Sequence, residues 1–113
     1  MTKEDRDIYD RLKVAGYWLA QDIYKADGGI SNIKELVKKY TGKMFNYIHN
    51  NKKDEFILYL QKIYAGISKQ PHKELMEILR EQEGRKLKEY CLAFMMGFMS
   101  KKEEKRGGKS ESK

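Results

Sequence analysis

A single cysteine and a single proline in 113 residues remove two kinds of framework at once. Cys91 has no second cysteine for an internal disulfide and no companions for a thiolate metal site, which fits a reducing, cytoplasmic setting. One proline and few β-branched residues leave little material for strands and tight turns. Only two histidines occur. His49 and His72 stand far apart, without acidic or cysteine neighbours at ligand spacing, so no metal site is expected. Gly28-Gly29 and Gly107-Gly108 are too isolated to form a phosphate-cradling loop, and no cofactor is expected. Carboxylates are plentiful, but no pair is marked by an apolar setting, and no enzyme activity is expected. The longest charge-free apolar run, Tyr90 to Met99, is ten residues, whereas about twenty are needed to span a bilayer. Residues 2–13 are dense in charge, unlike a secretion signal. Neither feature points to a membrane.

What the chain has in abundance is charge, 36% of its residues, with a net +7 that is unevenly spread. Between residues 34 and 53, Lys34, Lys38, Lys39, Lys43, Lys52 and Lys53 face the single acid Glu35, a local +5. Residues 1–33 carry −1 and residues 54–83 carry −2. Positive charge concentrated in one segment makes a footprint for a polyanion. Arg85, Lys86 and Lys88 form a second, smaller basic group.

Hydrophobic periodicity predicts an all-α, single-domain bundle of about five helices over 1–101, followed by a disordered basic tail over 102–113, which has no apolar residue to offset its ordering entropy. Ile8, Leu12, Ala15, Leu19, Ile23 and Ala26 form the first stripe, with Thr2 and Asp5 as a capping pair and Asp27-Gly28-Gly29 as the end. Asn32 is placed to cap a second helix whose apolar arc contains Ile33, Leu36, Val37, Tyr40, Met44, Tyr47 and Ile48. That arc keeps its phase through Gly42, so one continuous helix is expected to about Asn50. Asn51 with Asp54 is expected to cap the third helix, which buries Phe56, Tyr59, Leu60, Ile63, Tyr64 and Ile67. Pro71 is expected in the first turn of the fourth, with Leu75, Ile78 and Leu79 inward and Gly84 as its C-cap. The fifth is expected over about residues 85–101, burying Leu87, Tyr90, Cys91, Phe94 and Phe98.

Stepping about 100° per residue, Lys34, Lys38, Lys39 and Lys43 fall on the side of the second helix away from its apolar arc. Phe45 falls between Lys34 and Lys38. Two readings stand: the ring stacks on a base while ammonium groups contact phosphates, or it packs against another helix. Lysine offers a point charge without bidentate base readout, so contact indifferent to sequence is the natural inference. The fifth helix is apolar all round, which either exposes Leu92, Met96 and Met99 to a partner or encloses the helix completely. The tyrosines and Trp18 add further interface-type residues.

Three stretches carry a family resemblance: Val14-Ala15-Gly16-Tyr17-Trp18-Leu19-Ala20; Asn51-Lys52-Lys53-Asp54-Glu55-Phe56 leading to Ile63-Tyr64; and Tyr90-Cys91-Leu92-Ala93-Phe94-Met95-Met96-Gly97-Phe98. Together they resemble the small subunit of type I CRISPR Cascade complexes, which corresponds in several subtypes to the C-terminal helical part of the large subunit. The spacing is most similar to subtype I-B. The resemblance implies a non-catalytic helical bundle in antiviral defence. Its implied partners are the Cascade backbone and large subunits, other copies of itself, the guide RNA–target DNA hybrid and the displaced DNA strand. Specificity would then come from the guide, and the protein would stabilise the opened duplex electrostatically. The lysine assignments rest on this sequence itself. Two rivals are a helical protein-interaction module whose lysines form a solvated face, and a helix-turn-helix regulator. The second is disfavoured because its reading helix would lack the arginine and glutamine used for base readout.

Overall fold

Local side-chain chemistry decides where the first two helices begin. The computed structural model describes residues 2–28 and 32–111, with side chains described for 2–28, 32 and 34–100. Thr2 Oγ1 accepts the Asp5 amide at 3.1 Å and opens α1 (Lys3–Ala26), while Asn32 Oδ1 accepts the Lys34 amide at 2.8 Å and opens α2 (Ile33–His49). Each cap satisfies an amide that the first turn would otherwise leave without a partner. α2 passes through Gly42 unbroken, as its phase predicts. Three further helices follow, α3 (Lys53–Gly66), α4 (Lys73–Glu81) and α5 (Gly84–Glu111), giving the all-α single-domain bundle.

Several boundaries depart from the sequence reading. Asn51 does not cap α3; it ends α2 in the left-handed conformation at φ 57°. The Lys52 amide returns to the Tyr47 carbonyl at 2.8 Å and the Asn51 amide to Ile48 at 3.2 Å, a Schellman ending in which Asn takes the glycine position. Ser68 repeats this arrangement after α3, also at φ 57°, with Lys69 reaching back to Tyr64 at 2.9 Å. Pro71 lies before α4, one residue ahead of the N-cap position His72. Gly84 does not close α4, which gives way at Gln82; it opens α5 at φ 67°. α5, expected to end near residue 101, runs on to Glu111, and the side chains of 101–113, which include the tail expected to be disordered over 102–113, lie outside those described.

The core is built on a close crossing of α1 and α5. Contacts between them advance in the same direction along both chains: Asp5 meets Tyr90, Lys13 meets Gly97 and Gly16 meets Phe98. The two helices therefore run parallel. At the crossing, a Cβ on Gly16 would strike the Phe94 carbonyl oxygen and sit 2.9 Å from the Phe98 amide nitrogen. One on Gly97 would strike the Lys13 carbonyl. Backbone meets backbone here, so only glycine fits. Around the crossing, Leu12, Leu19, Met44, Phe56, Leu60, Leu75, Leu79, Tyr90, Phe94, Met95 and Phe98 are all buried. Ile57, Met76 and Ala93 join them beyond the predicted stripes, and Ala26 is exposed at the end of α1. Arg11 and Glu74 pair at 3.0 Å between α1 and α4, on the surface where such a bridge contributes little.

Opposite signs are expected for glycine substitutions of identical chemistry. Gly16→Ala and Gly97→Ala each push the crossing apart and should cost at least about 1–3 kcal/mol. Gly42→Ala meets nothing within 4 Å, so it should gain about 0.5–1 kcal/mol from helix propensity. Urea midpoints of the three variants check this, and a stabilising Gly97→Ala would contradict the backbone contact.

Candidate nucleic-acid interface

The lysines that form one cluster in sequence separate onto two flanks of α2. Lys34 and Lys38 are exposed with Phe45, which leaves 53% of its surface open and is not part of the core. Lys39 and Lys43 lie on the other flank, beside tyrosines. Lys39 Nζ sits 5.6 Å from the Tyr40 ring centroid, and Lys43 Nζ 5.7 Å from that of Tyr59 on α3. Tyr59 in turn lies 6.4 Å from Tyr40 and 5.7 Å from Tyr47, making a half-buried tyrosine row across α2 and α3. Tyr40 is braced from beneath by Phe98 at 6.3 Å. Burial, reinforced by the neighbouring Tyr40 and Tyr47 hydroxyls, pushes the Tyr59 hydroxyl above its ordinary pKa. Sequence reading placed these tyrosines on apolar arcs and counted the tyrosines among interface-type residues, without joining them into a row beside the lysines. The signal for more was the residue type: Tyr, with its polar tip, recurs at the margin of an apolar arc beside lysines.

Beyond Tyr47 the surface opens into a groove of about 300 Å³. One wall comes from Tyr47, Ile48, Asn51, Lys52, Lys53 and Phe56; the other comes from Glu83, Gly84, Leu87, Lys88 and Cys91 of α5 and the residue before it. The two basic groups that are remote in sequence thus meet at Lys52, Lys53 and Lys88. Not all of the predicted binding residues keep their charge for a ligand. Lys53 Nζ donates to the carbonyls of Arg80 at 2.7 Å and Gln82 at 3.1 Å, completing the C-terminal end of α4. A cation there also complements the negative pole of that helix. Lys86 Nζ lies 3.1 Å from Asp5 Oδ1, which also accepts the Tyr90 hydroxyl at 3.1 Å. This Lys86 contact, joined by those from Thr2 and Tyr90, holds the Asp5 carboxyl below the usual carboxylate range. The expectation that Lys53 is an open phosphate contact is corrected accordingly, since its ammonium closes the end of α4; Lys86 pairs with Asp5 at the surface with 47% of its side chain open. Arg85 is exposed but lies outside the groove. Lys34, Lys38, Lys52 and Lys88 are exposed and have no ion pair or side-chain hydrogen bond among the described residues.

On α5, Leu92, Met96 and Met99 leave 37%, 46% and 39% of their surfaces open, so the helix is not fully enclosed. Their spacing places them on one stripe. The Tyr9 hydroxyl reaches Met96 Sδ at 3.3 Å, marking where that stripe meets α1. Trp18 lies elsewhere. It is exposed beside Val14 in a groove that includes Tyr64, Gln70, His72 and Leu75, and its ring meets Tyr17 edge-on at 5.2 Å. No helix among the described residues is long and apolar enough to cross a membrane. Burial pushes the Cys91 thiol up to about 12, so at neutral pH the sulfur is a protonated core group and a poor nucleophile.

Two measurements follow from these buried and capping groups. Burial, then Asp22, raises Tyr64 to about 12; burial, then its bond to Asp5, raises Tyr90 to about 12. With Cys91, these groups hold protons in the native state that the unfolded chain releases, from about pH 9 for the thiol and about pH 10 for the phenols. Their contribution is complete below about pH 9 and should decline as pH rises toward 12. In urea titrations Cys91→Ala should move the onset of that decline toward pH 10, and stability that stays flat across this range would refute the assignment. Separately, Lys53→Met should cost about 0.5–1.5 kcal/mol by freeing two helix-end carbonyls. Lys52→Met should stay within about 0.5 kcal/mol of wild type. Equal stability of the two variants would remove Lys53 from its structural role.

No protein-family model, no curated protein and no solved structure matches this chain.

Proposed function

We propose that this chain is a non-catalytic subunit that binds nucleic acid without reading its sequence, acting as the small subunit of a Cascade-type effector complex. The observation that carries the binding part is the continuity of the tyrosine row, flanked by Lys39 and Lys43, with the groove bearing Lys52 and Lys88. Rings beside ammonium groups supply what a single strand needs: faces on which bases stack and point charges for phosphates. Phe45 between Lys34 and Lys38 repeats the combination on the opposite flank of α2. Lysine has no fork geometry to distinguish bases, so sequence would be read by a guide RNA and the protein would hold the displaced strand or the guide–target hybrid. Leu92, Met96 and Met99 would seat against the backbone or large subunits, or against another copy. The resemblance in residues 14–20, 51–64 and 90–98 supports the Cascade assignment.

A second reading, a helical protein-interaction module with lysines as a solvated face, draws on the exposed Val14, Trp18, Leu92, Met96 and Met99.

Binding to a single strand distinguishes them. If Lys34, Lys38, Lys39, Lys43, Lys52 and Lys88 contact six phosphates, the affinity should fall roughly 300-fold between 50 and 200 mM salt. Reversing Lys34, Lys38, Lys52 and Lys88 to Glu touches exposed positions and should leave folding within about 1 kcal/mol of wild type. The same change should lower single-strand affinity by more than about tenfold at 50 mM salt. Reversing the exposed Lys62 and Lys73 instead should matter much less. Fluorescence anisotropy reads both effects. Equal affinity of the fourfold variant and wild type would favour the interaction module.

A further inference from the structure

We propose that the groove between the α2–α3 turn and the start of α5 receives one unstacked base of a bound strand, with Lys52 and Lys88 holding phosphates on either side. This rests on the nucleic-acid reading above and adds a defined subsite to it. The volume, about 300 Å³, is at the lower limit of small-molecule sites. That suits a single ring system; a peptide helix or a lipid chain is too large. Its floor is apolar, formed by Ile48, Phe56 and Leu87 with the edge of Cys91, and offers a flat ring the burial that a bare polyanion cannot use. Lys52 and Lys88 stand exposed at the rim, against one acid, Glu83. Lys53 is already bound to the carbonyls of Arg80 and Gln82, so it neutralises the end of α4 beside the groove. Tyr47 belongs both to this wall and to the tyrosine row, so a strand stacked along the row is led into the groove. Asn51 is the one amide side chain among the lining residues, too few polar groups to choose between bases. Occupancy should therefore be indifferent to base identity.

The test uses the full wild-type chain with three probes. They are a mixed-sequence single DNA strand of about a dozen nucleotides, an abasic deoxyribose-phosphate strand of equal length, and free adenosine monophosphate. Affinity is read by competition anisotropy and occupancy by NMR shifts of the Ile48 and Leu87 methyl groups, with exposed Leu58 on α3 as the remote reference. The base-bearing strand should bind roughly five- to a hundredfold more tightly than the abasic one, the value of stacking one base, and should move the Ile48 and Leu87 methyls while leaving Leu58 in place. Equal affinity with unmoved floor methyls would overturn the groove and leave the electrostatic reading intact. Tighter binding with unmoved floor methyls would place the bases on Phe45 or the tyrosine row and likewise overturn the groove. Floor methyls moved by the mononucleotide alone would make it a free-nucleotide site and overturn the strand proposal. If neither strand binds, the groove proposal and the nucleic-acid reading fall together.

Discussion

Everything in this bundle depends on the contact at which α1 and α5 meet backbone to backbone. Gly16 and Gly97 remove the side chains that normally hold helix axes about 8–10 Å apart. The gain is a long shared interface between two parallel helices, with carbonyl and Cα groups in direct contact. It is specific because it leaves no slack: a single methyl on either glycine meets a carbonyl that cannot rotate away. Phe94 and Phe98 flank Gly97 and are wholly buried, and Phe98 reaches Tyr40 of α2. The crossing therefore also supports the tyrosine row. It fixes the start of α5, through Asp5, Lys86 and Tyr90, and so sets one wall of the candidate groove.

Lysine serves two purposes in this chain, and environment decides which. Lys53 meets two helix-end carbonyls, so its ammonium is held by the fold, whereas Lys86 pairs with a carboxylate while 47% of its side chain stays open. Each is also next to a second, exposed cation: Lys52 beside Lys53, and Arg85 beside Lys86. Adjacent helical positions diverge by about 100°, so neighbouring cations point to different surroundings. A charge count along the chain cannot separate them. The outward field is consequently weaker than the local +5 suggests and is directed to the flanks of α2 and the rim of the groove.

Features that depend on near neighbours could be read from the sequence, whereas those that depend on distant pairing could not. Thr2 and Asn32 act within three residues, so their caps were visible, and the unbroken phase through Gly42 foretold one helix. Asn51 misled because a left-handed ending by a residue other than glycine has no strong local mark. Gly97 was read as part of an apolar run, since nothing near it announces that Lys13 lies against it. The same limit hid the meeting of Lys52 with Lys88 across the groove. Phe45 lay off the apolar arc and is indeed exposed. The tyrosines were recognised as arc and interface-type residues but not as one row, because Tyr59 meets Tyr40 and Tyr47 across two helices.

The exposed chemistry is divided along α5 itself. Lys88 stands at the groove, and Leu92, Met96 and Met99 follow on the same helix at one-turn intervals. From Lys88 to Met96 is roughly 12 Å along the axis. Since α5 is locked to α1 at Gly97, between Met96 and Phe98, that distance cannot flex without opening the core. On the proposed reading, a protein seated on the methionine stripe would hold the lysine rim at a set height above its own surface. Methionine tolerates imperfect partners because it is unbranched and polarisable, so the docking side can be adaptable while the spacing stays rigid. A subunit that binds a strand without reading it has no base-specific contacts to set its position on the nucleic acid; a rigid connection to a neighbouring protein would supply that position.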